Sequence, residues 1–134
     1  MDVRLDGRTA LITGASEGLG LAMARRFSES GANVAMVSRS AERLEAGRQE
    51  VLSSAGGNKV KVEAIACDVT DTDQIAAMWQ SATDSFGDID ILVNNAGQTA
   101  IGPFLECDDA RWQADLDLKL FAAIRLGRLA MPGM

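Results

Sequence analysis

A doubly wound α/β fold, with a parallel sheet covered by helices on both faces, is what this sequence predicts. Three observations carry that expectation. Short β-rich apolar runs alternate with longer helical patterns in the order β-α-β-α-β-α-β-α, and such alternation builds a parallel sheet through right-handed crossovers. The fourth run, Asp90–Asn94 (DILVN), is almost wholly apolar, as a strand covered on both faces is. No repeat or low-complexity linker interrupts the 134 residues, a length that fits one domain of the usual ~100–200 residues, or part of one.

The elements follow in order. Thr9–Thr13 (TALIT) is a compact apolar run behind an Asp6-Gly7-Arg8 turn. Leu19–Ser30 reads as a helix with Leu19, Met23 and Phe27 on one face, and Gly31 stops it. Asn33–Ser38 is the second strand. Ala41–Ser53 is a charged helix with Leu44, Val51 and Leu52 facing inward, ended by Gly56-Gly57-Asn58. Lys59–Ala66 alternates, with Val60, Val62, Ala64 and Ala66 on one face and Lys61 and Glu63 on the other, the pattern of a half-exposed edge strand. Thr70-x-x-Asp73 resembles a capping box opening a helix that carries Ile75, Met78, Trp79, Ala82 and Phe86 on one face. After the fourth strand comes a loop, Gln98–Glu106, and then a last helix from about Asp109 to Ala130, ended by Pro132-Gly133.

Composition excludes several function classes. The chain is 47% hydrophobic, ample for a core, so it is not intrinsically disordered. Its net charge of −6 argues against nucleic-acid binding, which needs a basic face. Cys67 and Cys107 stand forty residues apart without CxxC spacing, which removes disulfide scaffolds and zinc ribbons and suits a reducing cytoplasm. There is no His and no Tyr. A His-based triad, an imidazole metal site or a phenol acid cannot be built from these residues, and no metal site is expected. The mixed-charge N-terminus lacks the apolar stretch of a signal peptide, and no apolar run approaches the ~20 residues that span a bilayer. A soluble cytoplasmic chain with no membrane partner is the expectation.

Chemistry concentrates at the first strand–helix junction, Thr13-Gly14-Ala15-Ser16-Glu17-Gly18-Leu19-Gly20. Gly14 permits the sharp turn off the strand, Gly18 lets a diphosphate approach the backbone, and Gly20 allows close helix–sheet packing. The N–H groups opening the helix, aided by its dipole, would hold the phosphates. A Gly-rich turn can be merely tight, but a strand before and a helix after it favour dinucleotide binding.

The G-x3-G-x-G spacing behind Thr13 resembles the glycine motif of the short-chain dehydrogenase/reductase family. Further elements match. Cys67-Asp68-Val69 ends the third strand like the family's D-V element, Asn94-Asn95-Ala96-Gly97 is identical to its NNAG element, and Pro132-Gly133-Met134 is similar to its P-x-M ending. The resemblance covers essentially the whole chain. It implies a Rossmann-type sheet of strand order 3-2-1-4 with later strands absent, and a hydride transfer between a nicotinamide and a carbonyl or alcohol substrate. It also implies a cofactor site built from Thr13, Gly14, Ser16, Gly18, Leu19, Gly20, Ser38, Arg39, Asp68, Val69, Asn95, Ala96 and Gly97, with Asp68 on the adenine amino group.

Charge bears on which cofactor. An acidic residue ending the second strand grips the ribose 2′-hydroxyl in NAD-type sites. Here Ser38 stands twenty residues after Gly18, and Arg39 follows. A hydroxyl and a guanidinium suit a 2′-phosphate, so NADP is favoured over NAD. The alternative is that Arg39 stacks on adenine or faces solvent, and Glu17 stands where many NADP-type relatives place a basic residue.

The family's catalytic Ser and Tyr-x-x-x-Lys lie beyond these 134 residues, so residues 1–134 are expected to be a single truncated cofactor-binding domain, inactive alone. The family's Asn falls seven residues after Trp112, where this chain has Lys119. Two readings of Lys119 stand: a modified proton relay beside the catalytic Lys, or a snorkelling surface lysine. Trp79 and Trp112 sit at core spacing, Cys67 reads as a buried small residue and Cys107 as a loop or helix-start thiol. Leu116, Leu118, Leu120, Phe121, Ile124, Leu126 and Leu129 make the last helix apolar over a wide arc, which points to homo-oligomerisation as a dimer or tetramer. A non-catalytic dinucleotide-binding module and a non-redox isomerase or lyase on the same fold are the other functional readings.

Overall fold

The computed structural model describes residues 2–134. Four parallel strands, β1 (Thr9–Thr13), β2 (Asn33–Ser38), β3 (Val62–Ala66) and β4 (Ile91–Val93), form one sheet in the order β3-β2-β1-β4. The expected Rossmann-type order is therefore present, with β3 at an edge. Period-two alternation splits the side chains between two layers. Ala10, Ile12, Val34 and Met36 point to one face, where helices α1 (Gly18–Glu29) and α2 (Ala41–Ser54) cover them with Ala24, Leu44 and Val51. Leu11, Ala35 and Val37 point to the other, beneath α3 (Thr72–Phe86) and α5 (Ala122–Ala130), which contribute Ile75, Met78, Ala82, Ala122 and Leu126.

Several expectations need correction. The stripe that α1 buries is Gly20, Ala24 and Ser28, flanked by Leu21, Met23 and Phe27, whereas Leu19 is 77% exposed. Small residues carry the close contact, so apolar periodicity alone misplaces the face. The third strand starts at Val62 rather than Lys59. Its polar face is not simply solvated: Lys61 Nζ lies 5.2 Å from the Phe86 ring centre, and Ser85 Oγ donates to Glu63 at 2.6 Å. Helix α3 is capped by Asp71, whose carboxylate accepts from the Asp73 and Gln74 amides. Thr70 instead folds back on Asp68.

The last helix is interrupted. Helix α4 (Asp109–Leu116) passes through a π-helical turn, Asp117–Phe121, into α5. In α5, Ala122, Leu126 and Ala130 are buried at i, i+4, i+8. The outer arc is open: Leu120, Phe121, Ile124 and Leu129 stay between 38% and 47% exposed. Trp112 is not in the core but 46% exposed, with its ring edge-on to Phe104 at a centroid distance of 6.1 Å. Trp79 does pack against the lower layer. Among the described residues, no helix is long and apolar enough to cross a membrane.

Strand β4 pairs with β1 through only Ala10↔Ile91, Leu11↔Leu92 and Ile12↔Val93. Its residues are half-buried rather than covered on both faces, because β1 is its one neighbour. Each end is pinned instead. At the lower end the Asp90 carboxylate accepts from the Thr9 amide at 2.8 Å and from Arg8 at 3.1 Å. At the upper end Thr13, 1% exposed, donates its hydroxyl to the Val93 carbonyl and accepts from the amides of Asn95 (3.0 Å) and Ala96 (2.9 Å). Asn95 Nδ2 completes the seam by donating to the carbonyls of Thr13 and Gly14.

Replacing Thr13 by the near-isosteric Val leaves two amides and a carbonyl without this partner. The expected cost for T13V is roughly 1–3 kcal/mol in a urea unfolding curve, from the unmade bonds rather than lost volume. At the lower end, the Thr9 N–H first, with help from Arg8, holds the Asp90 carboxyl below the usual carboxylate range, against the opposing effect of partial burial. A lowered folded pKa gives stability that is present above the unfolded value of about 3.9. It is lost as the pH falls through the folded value. D90N is therefore expected to be less stable than the parent near neutrality, and the difference should close in strong acid.

Candidate functional site

The strand order reverses direction at β1, which has β2 on one side and β4 on the other, so the loops leaving their carboxyl ends diverge. Open sheets place a crevice at such a point. Here it is a cavity of about 720 Å³, within the range of small-molecule and cofactor sites. The β1–α1 turn forms its floor with Gly14, Ser16 and Glu17; Ser38 and Arg39 line one end, Asp68 and Val69 the side, and Asn95, Ala96 and Gly97 the other end.

The turn's shape depends on its glycines. Gly14 has φ +64°, and a Cβ there would stand 3.0 Å from the Ala96 Cα and from Asn95 Nδ2. Gly20 faces the interior, where a Cβ would run into the Gly14 carbonyl group and come within 2.7 Å of Asn95 Nδ2. Gly18 is the opposite case. Its φ is +57°, and a Cβ would meet nothing within 4 Å, so the space above its backbone is open. Helices α2, α3 and α4 are N-capped by Ser40, Asp71 and Asp108, but α1 has no side-chain cap and no acidic residue in its first turn. Its leading amides thus keep free donors beside the cavity.

Other groups are placed with equal definition. Asp68 Oδ1 accepts from the amide and the hydroxyl of Thr70 at 3.0 and 2.7 Å, and Gln74 Oε1 accepts from the Asp68 amide. No described residue donates to Asp68 Oδ2. Arg39 is exposed and makes no ion pair or side-chain hydrogen bond among the described residues. Cys67 is buried at the cavity wall; burial first, and then the charges of Asp68 and Asp71, push its thiol up to about 11. It stays protonated near neutrality and is no nucleophile. Cys107 is half-buried just before the cap of α4.

Thus the structure places nine of the thirteen sequence-derived positions around one cavity, while Thr13, Gly18, Leu19 and Gly20 do not line it. Thr13 and Gly20 are buried beneath the floor and shape it. Leu19 points away into solvent. Lys119 lies in the π-helical turn with its Nζ 2.8 Å from Asp115 Oδ1, and does not line this cavity, whereas Ala114 and Leu118 do. Sequence reasoning missed Ser40 and Arg43 on the α2 side, Thr70 beside Asp68, and Gln98 at the far end. For Arg43 a signal existed: it is the charged residue one turn into the helix after Arg39.

The residues present fit a dinucleotide. Around one cavity stand the glycine turn, a free carboxylate oxygen on Asp68 and the Arg39 guanidinium, unpaired among the described residues, and the uncapped amides of α1 lie next to it in the chain.

Comparison with known proteins agrees with this construction. A family model described as short chain dehydrogenase matches residues 8–134. The chain is 42% identical over 130 residues to the ketoacyl reductase HetN of Nostoc sp., covering 97% of this chain and 44% of that protein. It is 35% identical over 132 residues to the 3-oxoacyl-[acyl-carrier-protein] reductase FabG of Vibrio cholerae, covering 98% and 51%. Among solved structures, L-sorbose reductase from Gluconobacter frateurii, complexed with NADPH and L-sorbose, superposes with a TM-score of 0.93 at 39% identity, over 100% of this chain and 50% of that one. A metagenomic short-chain oxidoreductase in complex with NADP gives 0.88 at 37% identity, over 97% and 57%. The chain spans about half the length of the curated relatives it matches. With its glycine turn, its strand order and its match along nearly the whole length, this chain belongs to the short-chain dehydrogenase/reductase family.

Proposed function

We propose that this chain holds NADP, in preference to NAD, as the cofactor-binding half of an oxidoreductase acting on a small carbonyl or alcohol substrate. The observation that carries the reading is the pairing of the open, uncapped glycine turn with the unpaired Arg39 guanidinium along one cavity. Similarity to reductases solved with NADPH or NADP supports it.

Each residue then has a physical task. The amides of Gly18, Leu19 and Gly20 donate to the diphosphate, which sits at the positive end of the α1 dipole. Asp68 Oδ2, oriented by the two bonds from Thr70 to Oδ1, accepts from the adenine amino group, and Val69 offers an apolar wall. Ser38 and Arg39 receive the ribose 2′-phosphate, where a charge-assisted hydrogen bond discriminates against a bare hydroxyl. Asn95–Gly97 bound the far end. When bound there, the nicotinamide supplies hydride chemistry; the chain's part is to bind it, orient it and limit its access to water.

The proton donor lies outside these residues, since neither Tyr nor His is present. A second hollow of about 270 Å³ adjoins the far end and shares Gln98, Ala114 and Leu118 with the main cavity. We assign the substrate's approach to it. The exposed arc of α4–α5, with Leu120, Phe121, Ile124 and Leu129, is the surface through which copies would associate. Two free cysteines suit a cytoplasmic setting. The missing Tyr also favours a second reading, a dinucleotide-binding module without turnover.

Two measurements test these assignments. Calorimetric titration should give a tighter Kd for NADPH than for NADH, and R39A should lose roughly tenfold or more for NADPH alone. Tighter NADH binding would overturn the preference. A verified sample of only these 134 residues should bind nucleotide without reducing carbonyls; turnover by that sample would place the proton donor inside the chain.

A further inference from the structure

The segment leading from β4 to α4 forms a wall of the second hollow, and one side chain ties it down. Gln98, Thr99 and Ala100 line that hollow together with Arg111, Ala114 and Asp115 of α4. The segment has no regular structure, and Ile101, 83% exposed, buries little that would hold it. Among the described residues, a single hydrogen bond reaches any group between Gln98 and Gly102: the Ile101 carbonyl accepts from Arg111 Nη2 at 2.7 Å. The same guanidinium lies against Gly102, where a Cβ would stand 2.9 Å from Nη1 and 3.1 Å from Nη2.

The surroundings leave the Arg111 side chain to this contact. The helix cap uses only its backbone amide, which donates to Asp108 Oδ1 at 2.9 Å. Asp115 stands at i+4, the spacing at which an arginine pairs with a carboxylate on a helix. Lys119 holds that carboxylate instead, with Nζ 2.8 Å from Oδ1, and Arg111 forms no ion pair among the described residues. Its charge is directed at a carbonyl, and hydrogen bonds from a charged donor are stronger than neutral ones. Because the bond is exposed, its effect is on the local segment rather than on global stability.

We propose that Arg111 is a positioning residue for the far end of the cofactor site. By clamping segment 98–102 onto α4 it fixes Gln98, which borders both the main cavity and the hollow. That sets the boundary against which the nicotinamide end rests. The inference depends on the cofactor reading of the cavity. A loop without a clamp samples many conformations, and ordering it on binding costs affinity. Arg111 removes that cost in advance. The gain falls on the nicotinamide half alone, since the adenosine half is assigned to Ser38, Arg39 and Asp68 elsewhere in the cavity.

The test compares the native protein with its R111A and G102A variants. R111A removes the clamp, whereas G102A keeps the arginine but puts a methyl where its guanidinium lies, at a backbone position without a positive φ. Relaxation of ¹⁵N nuclei reads the loop. Calorimetric titration with NADPH and with adenosine 2′,5′-bisphosphate, which lacks the nicotinamide nucleotide, reads the site. Order parameters of the Thr99–Gly102 amides are expected to fall from about 0.85 to below about 0.6 in both variants. NADPH is expected to weaken roughly fivefold while the bisphosphate stays within about twofold. Thermal unfolding should be alike for all three proteins. Loop order that R111A leaves unchanged, or an affinity loss shared equally by the two ligands or absent for both, would overturn the role of Arg111 and leave the cofactor assignment standing. A native protein that binds neither ligand would overturn the cofactor assignment itself, and the relaxation data would still report on the clamp.

Discussion

Everything at the head of this sheet depends on how closely the β1–α1 turn can press against the end of β4. Gly14 and Gly20 have no room for a side chain: Asn95, Ala96 and the turn's own carbonyl occupy the space where a Cβ would be. Thr13 and Asn95 stitch the seam with hydrogen bonds that are mostly to backbone, so its geometry is set by main-chain positions rather than by adaptable side chains. A short strand with one neighbour would otherwise be loosely held. Pinned by Asp90 below and Thr13 above, β4 becomes a fixed wall of the cavity.

The same economy governs the charges. Helices α2, α3 and α4 close their amino ends with their own side chains, whereas α1, which follows the cavity-lining Glu17, does not. Free amides and a helix dipole there would favour an anion, which is the place the proposed reading gives to a diphosphate. Asp68, with one oxygen engaged by Thr70, presents acceptor capacity on one flank, and Arg39 presents donors at the end. A ligand with a hydrogen-bond donor, a central diphosphate and a further anionic group would find complementary partners in that sequence of positions. The net charge of −6 makes this local reversal of sign more selective, because little else on the chain would attract a polyanion.

Much of this was legible in the residues, for identifiable reasons. Strands β1 and β2 coincide with TALIT and NVAMVS because both are bounded by turn residues and buried on two faces. The glycine spacing announces the turn because each glycine answers a steric demand that no other residue meets. What escaped depended on tertiary context. Leu19 weighs heavily in a hydrophobic pattern, yet the buried stripe of α1 uses Gly20, Ala24 and Ser28, which weigh little. The π-helical turn at Asp117–Phe121 leaves no compositional mark. Trp112 sits at core spacing, yet on its helix it stays 46% exposed against Phe104. Arg43 was visible in the residues as a charge one turn into the helix after Arg39, but only the fold shows that both border one cavity.

The central claim is that the opening amides of α1 grasp a diphosphate, and NADPH titration followed by ¹⁵N–¹H NMR tests it most directly. Saturable displacement of the Gly18, Leu19 and Gly20 amide resonances, larger than anywhere on the outer arc of α5, is the expected result. Binding that leaves those three amides unmoved would contradict it, whatever else in the spectrum shifts.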